Sequence, residues 1–243
     1  MTRFGPTRRE RAIWLCLVLV PIVFFGCNKA TSGGGGAKTP RVYVSSTWAD
    51  LGIKSLAYVG LGSSSGNPMG EKAANRVVEG ELRGSQDRFI LLGTSMAMGR
   101  AEKAGKAALF EKVQAVWRSD RKADQFLAAE LSKALGVDGL LFADLTDWTE
   151  ERISADQEGT SWSRAGIGLY IYGGEQGLLV WGADRDLRAD SIPYRPAPTG
   201  EDSASTERSQ RSVNRTDSTP EPPAIEDVAR ELLGELIASF PPR

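Results

Sequence analysis

Two stretches decide what this chain can fold into. SLAYVGL, Ser55 to Leu61, and GLLFADL, Gly139 to Leu145, are apolar almost from end to end. A strand that faces water on one side alternates apolar with polar residues, whereas a near-continuous apolar run belongs to a strand buried on both faces. Such strands need helices packed on their sheet, and the neighbouring sequence supplies helical patterns.

GSSSGNPMG after the first run is a turn. Glu71 to Arg83 then reads as a helix with Ala73, Ala74, Val77, Val78 and Leu82 on its apolar side. Phe89 to Leu92 is a short strand. Gly99 to Trp117 is helical by composition. A further helix, capped by Ser119 or Asp120, places Ala123, Phe126, Leu127, Leu131 and Leu135 at helical spacing. Gly136 sits where a left-handed C-cap is wanted. Thr146 to Ser161 reads as a polar loop, and Ile167 to Tyr172 with Leu178 to Trp181 as a hairpin around GGEQG. Arg41 to Ser45 is a short extended run. The predicted fold class is therefore α/β, a single mixed sheet of about five strands with helices packed on it, over residues 41–190.

From Ser191 to Ala224 the chain turns to Pro, Ser, Thr and mixed charge, too little apolar surface to offset ordering entropy, and is predicted to be a disordered loop. Beyond it, residues 225–243 carry an amphipathic helix with Ile225, Val228, Leu232, Leu233, Leu236, Ile237 and Phe240 on one face. The expected partner for that face is the open side of the sheet; the competing reading holds the helix out for another protein.

The N-terminus has a different character. Arg3, Arg8, Arg9 and Arg11 stand against Glu10, and an apolar run of about 14 residues follows, short of the ~20 a membrane span needs. It ends in Phe24-Phe25-Gly26-Cys27, which resembles the bacterial lipobox with phenylalanines in place of the usual leucine and smaller residue. Residues 1–26 are read as a signal peptide, Cys27 as the lipidation site, and residues 27–40, with Gly33 to Gly36, as a flexible tether. An uncleaved short anchor and a buried helix are the other two readings. Lipid on Cys27 places the protein on a membrane of the bacterial envelope. Asn28 after the cysteine, rather than Asp, points to the outer membrane facing the periplasm.

Composition narrows the chemistry. The 243 residues include 2 cysteines and no histidine. That excludes Ser-His-Asp triads, Cys-His pairs, His-ligated metals and a histidine proton switch. With Cys16 lost in the leader and Cys27 acylated, the mature domain has no thiol for a disulfide. The formal net charge is -1, and loss of the arginine-rich leader makes the remainder more acidic. Without a Lys/Arg stripe the chain is a poor candidate for nucleic acid.

Three motifs carry alternatives. Gly60 to Gly66 lies between strand and helix, where anions are often held, but it has neither dinucleotide nor P-loop spacing, and Pro68 removes an amide. It is read as a structural turn, with no cofactor. DLTDWTEER, Asp144 to Arg152, gathers Asp144, Asp147, Glu150 and Glu151. A carboxylate pair there would support an envelope hydrolase, while the plainer reading is a solvated strand end. Trp148 and Trp162 flank this loop as candidate contact residues. WGADRDLRAD, Trp181 to Asp190, alternates Asp and Arg beyond the last strand, where charge discourages edge-to-edge pairing.

SLAYVGL with its SSSGNPMG turn, DRFILL, LAAELSKALGVDGLLFADL and the hairpin ending GLLVW together resemble a family of bacterial envelope lipoproteins. The family includes the curli secretion channel lipoprotein and the lipoprotein activators of penicillin-binding proteins. The N-terminal domain of the Tol-system propeller protein has a related architecture. The resemblance covers Lys54 to Asp190 and the final helix. It implies a protein that is not an enzyme and that binds envelope proteins in cell-wall synthesis or secretion. The channel branch needs paired alternating strands of ~10 residues, and none is evident in the sequence, so the accessory branch is the better match.

Overall fold

The computed structural model describes residues 39–85, 88–195 and 219–242. The signal peptide, Cys27, nearly all of the tether and most of the polar loop lie outside the described residues. The elements run β1 (Arg41–Val44), α1 (Trp48–Leu51), β2 (Ser55–Ser63), α2 (Pro68–Gly84), β3 (Ile90–Leu92), α3 (Thr94–Lys103), α4 (Ala107–Asp120), α5 (Gln125–Leu135), β4 (Gly139–Glu151), β5 (Trp162–Gly173), β6 (Leu178–Asp190) and α6 (Ile225–Ala238). The strands form one mixed sheet in the order β1-β6-β5-β4-β2-β3. The pairs β2–β3 and β2–β4 are parallel and the rest are antiparallel.

The apolar runs of β2 and β4 serve two cores at once. Leu56, Tyr58 and Leu61 of β2, with Leu141, Ala143 and Leu145 of β4, face the layer that holds α2 and α6. Ala57, Val59, Leu140 and Phe142 face α3, α4 and α5. Alternation of side-chain direction along a strand explains why neither run can spare polar positions.

Helix α2 begins where the sequence permits it. Pro68 stands in its first turn, and the Asn67 side chain accepts a hydrogen bond from the Gly70 amide at 3.0 Å. Beside it, α6 buries Ile225, Val228, Ala229, Leu232, Leu233 and Leu236. Phe240, just past its end, meets Phe89 edge-on at 5.2 Å and Trp181 at 4.4 Å between ring centroids. The Arg88 guanidinium donates to the carbonyls of Ile237 and Phe240, at 3.2 and 3.3 Å, and so satisfies the open C-terminal end of α6. Arg185 of β6 pairs with Glu235 of α6.

Several expectations from the sequence need correction. The sheet has six strands, because the Arg41–Val44 run pairs with β6. The helix read over Gly99 to Trp117 is two helices, broken at Gly105 in a left-handed conformation with φ 67°. Helix α5 is capped by Asp124, whose side chain accepts from the Leu127 amide at 3.0 Å, not by Ser119 or Asp120. Phe126, assigned to the apolar side, is 87% exposed.

Thr146 to Glu151 is strand, not loop, and the hairpin strands begin earlier or end later than their apolar cores. Strands β4, β5 and β6 each run 12 or 13 residues, with stretches of consecutive buried positions rather than alternation along their length. They pair along their length inside the main sheet.

Candidate functional site

A sheet open at its sides offers backbone donors and acceptors along its borders, and here the borders differ in how they are covered. On one side β3 pairs only with Ser55 to Ala57, while β2 runs on to Ser63. Side chains take the place of the missing strand: Gln114 Nε2 donates to the Val59 carbonyl at 2.5 Å, and the Arg121 guanidinium donates to the Ser63 carbonyl. Arg121 reaches this position from the left-handed C-cap of α4, with φ 54°; among the described residues no other non-glycine has a positive φ.

The glycines of the Gly60 to Gly66 motif fit this arrangement. A Cβ on Gly62 would lie 2.9 Å from Arg121 Nη1 and 3.1 Å from Trp117 Nε1, so glycine lets the guanidinium lie close against the strand. Gly60, at φ 146°, sits where the β2–β4 register shifts and next to Gln114. Downstream, Ser63 and Ser65 share a hydrogen bond of 2.8 Å, and Asn67 occupies the helix N-terminus. The motif shapes backbone that its own side chains use.

Beside it a polar crevice of about 350 Å³ opens at the C-terminal end of β2. Lys72, Asn75, Thr94, Gln114 and Arg118 line it with Glu71. It lies between the start of α2 and the start of α3, where connections leave for opposite faces of the sheet. These residues can bind polar groups, but they pair no nucleophile with a base.

Two of the four carboxylates named from the sequence are each set against an arginine. Asp144 Oδ1 lies 3.1 Å from Arg121 Nε, and Asp147 Oδ2 lies 3.1 Å from Arg164 Nε. Neither nitrogen is aligned for a hydrogen bond. Burial therefore pushes the Asp144 carboxyl above its usual range, against the pull of Arg121. Glu150 and Glu151 stand exposed at the end of β4. Trp148 packs on the core and closes over Gly70, while Trp162 carries the Arg188 guanidinium 4.5 Å above its ring. Among the described residues, no three His, Cys, Asp or Glu side chains group to hold a metal ion.

The Asp/Arg run over Trp181 to Asp190 belongs to β6 rather than lying beyond it. Strand β1 covers β6 only from Trp181 to Asp184. The rest of β6, through Asp190, carries Asp186, Arg188 and Asp190 along the uncovered border, while Arg185 is buried against α6. Arg164 of β5 bridges to Asp186 at 3.1 Å, and Arg188 to Asp190 at 2.7 Å.

Strand β1 is different. Val42, Tyr43 and Val44 are 45%, 51% and 46% exposed, and all four of its residues face solvent. Its one charge, Arg41, is held by Asp184 of β6, with Nε to Oδ2 at 2.8 Å. Sequence reasoning treated this run as a lead-in; four residues are too few for periodicity to mark a sheet border.

A hollow of about 710 Å³ at the opposite end of the sheet is lined by Leu51, Lys133, Val137, Asp138 and Glu175 among others. Asp138 has a structural task there. Burial opposes its ionisation, but the amides of Lys54 and Ser55 and the Ser55 hydroxyl, at 2.8 to 2.9 Å, outweigh it and hold the carboxyl below its usual range.

No protein-family model matches the chain, and no curated protein does. Solved structures similar to it include the PelC dodecamer from Paraburkholderia phytofirmans, at 12% identity over 83% of this chain and 97% of that one, with a TM-score of 0.42. The lipoprotein GNA1162 from Neisseria meningitidis matches at 14% identity over 57% and 84%, with a TM-score of 0.40. The C-terminal domain of LpoB from Salmonella enterica matches at 10% identity over 56% and 85%, with a TM-score of 0.34. All three likenesses are distant.

Proposed function

We propose that this is a lipid-anchored, non-catalytic protein of the bacterial cell envelope. It presents its α/β domain to an envelope protein and is accessory to a complex of cell-wall synthesis or secretion. The observation that carries this reading is the order of the leader: arginines, a short apolar run, then Gly26-Cys27 and a glycine-rich tether. Among the described residues no helix is long and apolar enough to cross a membrane. Asn28 after the cysteine favours the outer membrane.

The hydrolase alternative needs one carboxyl free to donate a proton and another free to attack or activate water. Asp144 and Asp147 are instead each set against its own arginine. Intact mass and detergent partitioning of the parent and of Cys27→Ser test the anchor. A parent chain whose mature mass contains no acyl groups sinks the reading. Crosslinking in intact envelopes, followed by identification of the captured protein, then tests the accessory role.

A further inference from the structure

We propose that β1 is a self-association strand, and that two copies of this chain pair antiparallel along Arg41–Val44 to join their sheets. The first observation is the contrast between borders. Gln114 and Arg121 occupy the Val59 and Ser63 carbonyls past the end of β3, and the charges of Asp186, Arg188 and Asp190 guard the outer end of β6. Strand β1 has no such guard. It is apolar at three of four positions and contains no bulge or proline, and among the described residues no helix covers it. An exposed border of that composition pairs with another strand when one is offered.

The second observation concerns what fits. In an antiparallel pair about a two-fold axis, valine and tyrosine side chains face one another across the junction, and β-branched with aromatic neighbours are favourable cross-strand partners. No like charges are brought together, because Arg41 lies at the end of the strand and is already neutralised by Asp184. The antiparallel sense also continues the β5–β6 and β6–β1 pairing. A foreign strand would be read through pockets for its side chains, and β1 residues line neither the crevice beside β2 nor the hollow at the opposite end of the sheet. Four residues a side make a contact well below the ~1,200 Å² of a stable standard interface. The pairing is therefore reversible and best caught in place.

The test is disulfide trapping of the full chain in intact cells, with the parent chain as control for Cys16 and Cys27. Val42→Cys, Tyr43→Cys and Val44→Cys are each oxidised in turn, beside Phe126→Cys, which is more exposed but lies on helix α5 and outside the sheet. A disulfide-linked dimer is expected from at least one β1 cysteine and not from Phe126→Cys. Adding Val42→Lys and Val44→Lys to Tyr43→Cys should abolish its dimer band while the melting temperature stays that of the parent, since both positions face solvent. The proposal is overturned if no β1 cysteine gives a dimer, if the band survives the two lysines, or if Phe126→Cys links as well. Capture of a different protein in place of the dimer overturns it too.

Discussion

Leu232→Ala probes how α6 is held, and its cost follows from where the residue lies. Leu232 is fully buried among Val228, Leu233 and Leu236 against the sheet and α2. Truncating a leucine in such a site costs ~2–5 kcal/mol, from lost transfer energy and the cavity left behind. For a domain of this size each kcal/mol moves the melting temperature by about 2–4 °C, so a fall of roughly 5–20 °C is expected. Ala at the exposed Glu231, one residue away, should move it by less than about 2 °C. Replacing residues 196–218 with about ten Gly/Ser residues is the companion measurement. Halving a loop changes its closure entropy by only ~0.6 kcal/mol, so the melting temperature should hardly change. Thermal unfolding of the full chain in detergent, followed by circular dichroism, reads all three. If Leu232→Ala melts with the parent, α6 contributes nothing to the core and the reasoning fails.

Gly177 has φ 60°, and a Cβ there would lie 2.8 Å from the Ala129 amide nitrogen; Gly52, at φ 53°, has open space around it. Gly177→Ala should therefore lower the melting temperature more than Gly52→Ala, which carries only the left-handed penalty of about 1–2 kcal/mol; equal losses would refute the close packing of the β5–β6 turn on α5. Asp138 has a folded-state pKa below its unfolded value, so its contribution is present above about pH 3.9 and lost as pH falls through the folded value. Asp138→Asn should flatten the acid side of a stability–pH curve, and an unchanged slope would contradict this. Asp144 runs the other way: its folded pKa is raised, so its contribution is fullest below about pH 3.9 and declines as pH rises through the raised value. Relative to the parent, Asp144→Asn should gain stability between acid and neutral pH; a relative loss over that interval would count against the burial of this carboxyl.

The α/β class was legible because the apolar runs of β2 and β4 are properties of local sequence. The outer halves of β4, β5 and β6 were not. Thr146 to Glu151 is polar, and it is extended because Trp148, Thr149 and Glu150 pair with Ala165, Arg164 and Ser163, partners far along the chain. Gly105 gave a signal that helical composition masked, and the break it makes separates α3 from α4. The covering of the β2 border was illegible for another reason. Gln114 and Arg121 are ordinary helix-surface residues in sequence, and their role exists only once α4 lies beside Val59 and Ser63.

That covering also bears on how far copies of this chain can assemble. A sheet that accepts strands at both borders regenerates an acceptor with every addition, and growth runs on as it does in a fibril. With Gln114 and Arg121 occupying β2 carbonyls past the end of β3, a copy joined through β1 has only the three residues of β3 as an outer strand on the far side of its sheet. A two-fold pairing uses β1 of both copies, so addition through that border stops at two. Crowded against its own kind, such a chain can keep an apolar strand in the open without polymerising.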